Sequence, residues 1–506
     1  MSADRLQRRA LAGALWMSAD RVLFFAVAAV VTVVLARLLP PSAFGVVGAA
    51  LVVVEIAAQV VNAATAPALV QRAELGRQHL AAAFWISVGV SIALFGLVWV
   101  VTPSMAEFFD IPALLTVLPC LALVFVADGV SAVSRALQQR ALAFREAVII
   151  RAAADVVGLG VVSVAMAFAG YGVWALVGGR VAQSALRASG YLARFPHAIC
   201  GGTWAAAGDI GRFGAGIMAQ GLLNSLARQG DSLVVGRLFG TRILGLYDRA
   251  YNVMTMPASF LASTFSGVLF PVLSRTQDDP VMLEKALYRT TALCGIVLLP
   301  VSALTFVLAA EVVLVVLGPE WVDAIPILRV LAFGIYLRVA YKVGGTLLRS
   351  RGRVFVAAVL QGIYAAAVLL GAWFGAAWGT VGVAVAVVGA AGLYYALVSV
   401  TAARDIGVRS LPMFATLLPG LGLAIGCGGL AHLAVVPVRA TGLPPLASLL
   451  VGSATASAAW IGVLALAPRL VGESGEWLRS AAVEAFGRVV DRPGAREAPS
   501  PPDTGT

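Results

Sequence analysis

Apolar runs of about 18 residues or more recur along this chain from end to end, separated by short connections. Wound as a helix rising about 1.5 Å per residue, each crosses the roughly 30 Å hydrocarbon core of a bilayer. Inside hydrocarbon every backbone N–H and C=O must be satisfied within the protein, so only helices or a closed barrel can span it. A barrel would read as segments of about ten alternating residues, and these runs are continuous. With 60% of 506 residues hydrophobic and a mean hydropathy of +0.93, the chain lies beyond the range of soluble domains. The fold class expected is an all-α integral membrane protein.

Fourteen spans are expected. The first six cover about 12–38, 44–69, 80–101, 112–134, 147–169 and 171–193. The next six cover 213–237, 244–270, 286–317, 324–348, 354–375 and 378–401, and two more lie at 412–435 and 445–467. The basic start, MSADRLQRRALAGALW, leads into an apolar stretch that runs to Leu39 and is interrupted by Asp20 and Arg21. That is too long for a cleavable leader and reads as an uncleaved first span.

The net charge of +11 does not point to nucleic acid, because the cations sit in the connections. Every second connection is basic: Arg72 and Arg77; Arg135, Arg140 and Arg145; Arg187 and Arg194; Arg349, Arg351 and Arg353; Arg404 and Arg409. Positive connections stay in the cytoplasm, so both termini are expected there, in a multi-pass protein of the cell membrane. The connections on the other side are short, leaving little room for an external catalytic domain. The four cysteines (Cys120, Cys200, Cys294, Cys427) are scattered and the three histidines (His79, His197, His432) isolated, so no disulfide framework, metal site or cofactor is expected.

An internal repeat divides the chain. RLLPPSAFGVV from Arg37 and RLFGTRILGLY from Arg237 share an Arg, a Leu, a turn and a Gly eight residues after the Arg, at an offset of 200. The spans that follow end alike, in PALVQR and PVLSR. Two parallel six-helix lobes around a central cleft follow from this: residues 1–206 and 207–405, with two additional helices in 406–469 and a cytoplasmic tail in 470–506.

The stretch DSLVVGRLFGTRILGLYDRAY with MPASFLASTFSGVLFPVLSR closely resembles the seventh and eighth spans of Wzx-type polysaccharide flippases. These belong to the multidrug, oligosaccharidyl-lipid and polysaccharide exporter superfamily. GALWMSADRVLFF and VVLARLLPPSAFGVVGAALVVVEIAAQ resemble its first two spans, and LLRSRGR fits a recurring feature. The resemblance covers about residues 10–405. It implies a flippase that carries a polyprenyl-diphosphate-linked oligosaccharide from the inner to the outer leaflet. It also implies membrane lipid, a polysaccharide polymerase and other assembly proteins as partners. A cation-coupled drug or metabolite antiporter of the same fold is the alternative.

Charges inside spans cost about 2.5–3.5 kcal/mol each at the bilayer centre, so each one needs a reason. Arg338 and Lys342 stand four apart on one face of the tenth span, with no acid within a turn, and an anion would relieve their repulsion. With Arg21, to which the resemblance adds weight, and Arg180, they are the candidates for a diphosphate. Glu55, Gln59 and Asn62 form a polar stripe at i, i+4 and i+7. Together with Asp128, Arg228 and Asp231 they are candidates for sugar contacts or ion coupling. Arg151 and Asp155, at i,i+4, are expected to neutralise each other. Arg237, Arg242, Asp248 and Arg249 are expected at the rim of an outer gate.

Overall fold

The computed structural model describes residues 3–64, 69, 75–275, 280–472, 474–477 and 479–480. Side chains of 3–15, 17–19, 62–64, 204–220 and 260–275 lie outside the described set. Among the described residues every regular element is helical.

In chain order the helices are α1 (Ala3–Leu38), α2 (Pro41–Ala64), α3 (Arg77–Phe109), α4 (Leu114–Arg140), α5 (Phe144–Phe168) and α6 (Val173–Arg194). After a linker come α7 (Trp204–Arg275), α8 (Pro280–Val307), α9 (Ala309–Val316), α10 (Ile325–Ala332) and α11 (Gly334–Ser350). The remainder are α12 (Val354–Gly375), α13 (Gly379–Asp405), α14 (Ser410–Ala415), α15 (Leu418–Ala440) and α16 (Pro445–Leu466).

Nine stretches of the described residues are long and apolar enough to cross a membrane, and one of them, Val354–Asp405, contains both α12 and α13. The other expected crossings are α6, the two arms of α7, and α10 with α11. Each of these carries charged residues, and the tenth span is in addition divided into the shorter helices α10 and α11.

Four elements depart from plain spans. The seventh and eighth spans are two helical arms that meet at a kink at Gly240, whose φ of 78° favours glycine, with no longer loop between them. The long ninth run is helical to Val307 and then turns into the short α9. There the buried Glu311 accepts two hydrogen bonds from Arg439, at 2.7 and 3.0 Å. The tenth span is broken at Phe333 into α10 and α11. Within α5, residues Asp155–Val162 form a π-helix, a widened turn.

The two chain halves meet where α2 crosses α7, at the end of the molecule that carries the α1–α2 turn. A Cβ on Gly45 would collide with the carbonyl of Thr241, and a Cβ on Gly245 with the carbonyl of Pro41. These are one contact made twice at the repeat offset of 200, with the two halves exchanged. The repeated arginines are also exchanged. Arg37 donates to the Val315 carbonyl at 3.0 Å, and Arg237 stands 5.6 Å over the ring of Phe108. Trp321, wholly buried, plugs the crossing: its ring meets Phe44 at 5.3 Å and its Nε1 donates to the Ala36 carbonyl at 3.0 Å. At the other end, Asp405 accepts from Arg351 at 2.6 Å and Arg353 at 2.7 Å, tying the α11–α12 turn to the end of α13.

The linker after α6 lies on α3 and α4. Ser134 Oγ donates to the Phe195 carbonyl at 2.9 Å and meets His197 Nδ1 at 3.1 Å, while Trp85 Nε1 donates to the Ile199 carbonyl at 2.9 Å. Burial holds the His197 imidazole below its ordinary value of 6.5, partly offset by a hydrogen bond at Phe195. The docked linker therefore favours neutral imidazole. Docking is complete above the ordinary value and weakens as pH falls through and below it.

Two predictions follow from this geometry. Gly45→Ala and Gly245→Ala each lower unfolding stability in detergent by about 1–3 kcal/mol through overpacking. Gly89→Ala, with nothing within 4 Å of the new methyl, raises it by about 0.5–1 kcal/mol through helix propensity. Hydrogen exchange in residues 195–203, corrected for intrinsic rate, speeds up on going from about pH 7.5 to about pH 5.5, and His197→Asn abolishes that difference.

Candidate functional site: charges between the two halves

Along α2, Glu55 and Gln59 face α7. Gln229 Nε2 donates to Glu55 at 2.6 Å, and Arg228 stands 3.8 Å from the same carboxylate. Gln59 approaches Gly221, where its Oε1 would lie 3.4 Å from an added methyl. Asn62 lies outside the residues whose side chains are described. Arg228 is exposed at 57%, and its one carboxylate partner is shared with Gln229 at a longer distance than a close ion pair. Lys342 on α11 is also exposed, and the charges acting on it are Arg228 and Arg338, both positive. Arg21 is half-buried on α1 and makes no ion pair with another described residue, because Asp20 turns away to Arg151 at 2.8 Å.

Arg338 sits deeper. It is 9% exposed, its guanidinium carbon lies 4.4 Å over the Tyr251 ring, and its Nη2 has no partner among the described residues. Asp231, 1% exposed, accepts from the Tyr247 hydroxyl at 2.9 Å and from the Ser232 backbone N–H at 3.0 Å. Arg228 and Asp231, three apart in sequence, do not pair: the acid turns into the protein while the guanidinium stays exposed. Asp248 accepts from Ser232 Oγ at 2.7 Å and lies against Gly48 of α2. Its neighbour Arg249 lies 4.9 Å over the Phe44 ring. Arg242 meets the exposed Asp323 at 3.2 Å.

In the first half Asp128 and Asp155 are occupied. Asp128 pairs with Arg135 at 3.3 Å. Asp155 accepts from Gln183 at 2.6 Å and Arg187 at 2.8 Å, and Gln183 in turn accepts from Arg180 at 3.2 Å. Arg151 and Asp155 therefore do not neutralise each other as their spacing suggests. The π-helix starts at Asp155 itself, so the carboxylate leaves the ordinary i,i+4 geometry and faces α6, while Arg151 reaches α1. Sequence spacing missed this Asp20–Arg151 and Asp155–Arg187 chain across three helices. Gly158 and Gly179 were a signal, since a Cβ at Gly158 would collide with the backbone of Gln183 and one at Gly179 with Ser163.

Residues 34–326 match the family described as "Polysaccharide biosynthesis protein". The chain belongs to that family. Among curated members, the lipopolysaccharide biosynthesis protein WzxC of Escherichia coli is 28% identical over 353 residues, 69% of this chain and 71% of that one. The succinoglycan biosynthesis transport protein ExoT of Rhizobium meliloti is 25% identical over 323 residues, 63% of this chain and 64% of that one. The fold is shared with a lipid II flippase, MurJ, in an inward closed conformation, at a TM-score of 0.71 and 12% identity, covering 90% of this chain and 98% of that one. It is shared with an inward-facing multidrug resistance transporter at a TM-score of 0.60 and 15% identity, covering 76% and 94%. This member of the polysaccharide biosynthesis family is an all-α, multi-pass membrane protein.

Because Asp155 is 5% exposed and holds two helices through charge-assisted bonds, Asp155→Asn lowers thermal unfolding stability in detergent by about 1.5–3 kcal/mol. Exposed Asp323→Asn changes it by less than about 1 kcal/mol.

Proposed function

We propose that this protein carries a polyprenyl-diphosphate-linked oligosaccharide from the inner to the outer leaflet by alternating access, for assembly of a cell-surface polysaccharide. One observation carries the reading. Arg228 and Lys342, on neighbouring helices, are both exposed, and among the described residues the one carboxylate paired with Arg228 is Glu55, already held by Gln229. A diphosphate there would replace like-charge repulsion by charge-assisted hydrogen bonds. Arg21 on α1 adds a third cation to the same reading, and Arg180, tied to Gln183, a fourth.

The residues 1–206 and 207–405 act as two lobes, and 406–469 as two accessory helices. With the basic connections in the cytoplasm, the crossing of α2 over α7 is an outer seal, shut in the state described. Both termini then lie in the cytoplasm, and the cargo passes to a polymerase and other assembly proteins outside. The names of WzxC, ExoT and MurJ agree with this class of work. A cation-drug antiporter would need an open carboxylate in the cleft. Instead Glu55 is occupied by Gln229 and Arg228, and Asp231 is sealed.

The test is mass spectrometry of polyprenyl-linked glycans in the host. Depletion of the protein leads to accumulation of the complete repeat unit on its lipid, protected from reagents outside the cell. The paired change Arg228→Gln with Lys342→Gln slows translocation about tenfold or more. Unchanged lipid pools, with altered sensitivity to cationic compounds, would refute the reading.

A further inference from the structure

Behind Lys342 the second half holds a group of tyrosines that the charge argument leaves unused. Tyr364 of α12 and Tyr394 of α13 are stacked, 4.6 Å apart and 13° from parallel. Tyr341 of α11 leans on both, at 5.9 and 4.9 Å. Tyr394 is fixed by Gln361 at 2.8 Å. Beside them Arg338 lies over the ring of Tyr251, and Tyr251, Tyr364, Tyr341 and the buried Asp231 carboxylate are all within electrostatic range of that guanidinium.

Three buried polar atoms here have no partner among the described residues: Arg338 Nη2, the Tyr251 hydroxyl and the Tyr364 hydroxyl. Tyr364 is 3% exposed and Arg338 is 9% exposed, so bulk water does not serve them freely. A native fold rarely leaves three such groups together unless something else completes them. Their chemistry limits what that is. A guanidinium rejects a cation. Unsatisfied hydroxyls reject a polyprenyl tail. A diphosphate is served better by the exposed Arg228 and Lys342 than by an arginine covered with an aromatic ring. What remains is a neutral group with several oxygens that both accept and donate, and with a C–H face to lie on the half-buried Tyr341.

We propose that this pocket, formed by Tyr251, Arg338, Tyr341 and Tyr364, binds a sugar ring of the cargo. The inference rests on the translocation reading above and adds a division of labour. The exposed cations take the diphosphate, and the tyrosine pocket takes the glycan. Selectivity among glycans then belongs to α7, α11 and α12, and affinity for the carrier lipid to the exposed charges.

The experiment compares two probes on purified, reconstituted protein: bare undecaprenyl diphosphate, and the glycolipid fraction extracted from the host. Tyr251→Phe and Tyr364→Phe keep the rings and delete one hydroxyl each. Each weakens binding of the glycolipid about fivefold to tenfold and leaves that of bare undecaprenyl diphosphate unchanged. Glycolipid affinity unchanged in both variants would overturn the pocket, as would an equal loss for both probes. Failure of the bare lipid to bind the unaltered protein would instead count against the diphosphate reading, while the glycan-dependent loss in the two variants would still decide the pocket. Circular dichroism and the thermal midpoint of each variant, expected to match the unaltered protein, separate lost binding from lost folding.

Discussion

Backbone-to-backbone approach where α2 crosses α7 is the contact on which the rest of the arrangement depends. In a bilayer the hydrophobic effect does little to draw one helix to another, because lipid tails are as apolar as leucine. Close packing and polar contacts must do it, and helices approach closely only where side chains are absent. Gly45 and Gly245 let each helix reach a carbonyl of the other, and Trp321 fills the hollow beside them. With that end shut, polar groups lower on α2 and α7 are brought opposite one another, including Glu55 and Gln229.

The intramembrane charges fall into two sets under the same constraint. Some are matched, Asp20 with Arg151 and Asp155 with Arg187 across helices and Asp128 with Arg135 along α4. These hold the first half together. Others, Arg228 and Lys342, are exposed on α7 and α11, and the one carboxylate paired with Arg228 among the described residues is Glu55.

Much of this was legible in the sequence. Hydropathy reports the cost of moving a segment into hydrocarbon, so the number and order of crossings could be read directly. The repeat at Arg37 and Arg237 marked the residues that later proved to touch. Which acid meets which base was not legible. A spacing of i,i+4 assumes a 3.6-residue turn, and the π-helix at Asp155 breaks that assumption. Hydropathy also says nothing about what packs at each depth: Arg338 and Lys342 share a face of α11 but stand about 6 Å apart along its axis, and end in different surroundings. The break between the two arms of α7 was legible as a turn signal rich in Gly and Thr, but not that a single residue, Gly240, makes it.

The doubled contact at Gly45 and Gly245 has the form of an isologous interface, the kind two identical subunits make about a two-fold axis. In a symmetric dimer any change on one side appears on the other. A single chain removes that restriction. Where the repeat offset pairs Gly48 with Asp248, the two positions now lie against each other as a bare backbone and a carboxylate. Two identical copies would have set either two glycines or two carboxylates face to face. Joining the halves in one polypeptide is what allows a lone acid to stand beside the pseudo-axis, and so allows the two faces of the seal to take on separate tasks.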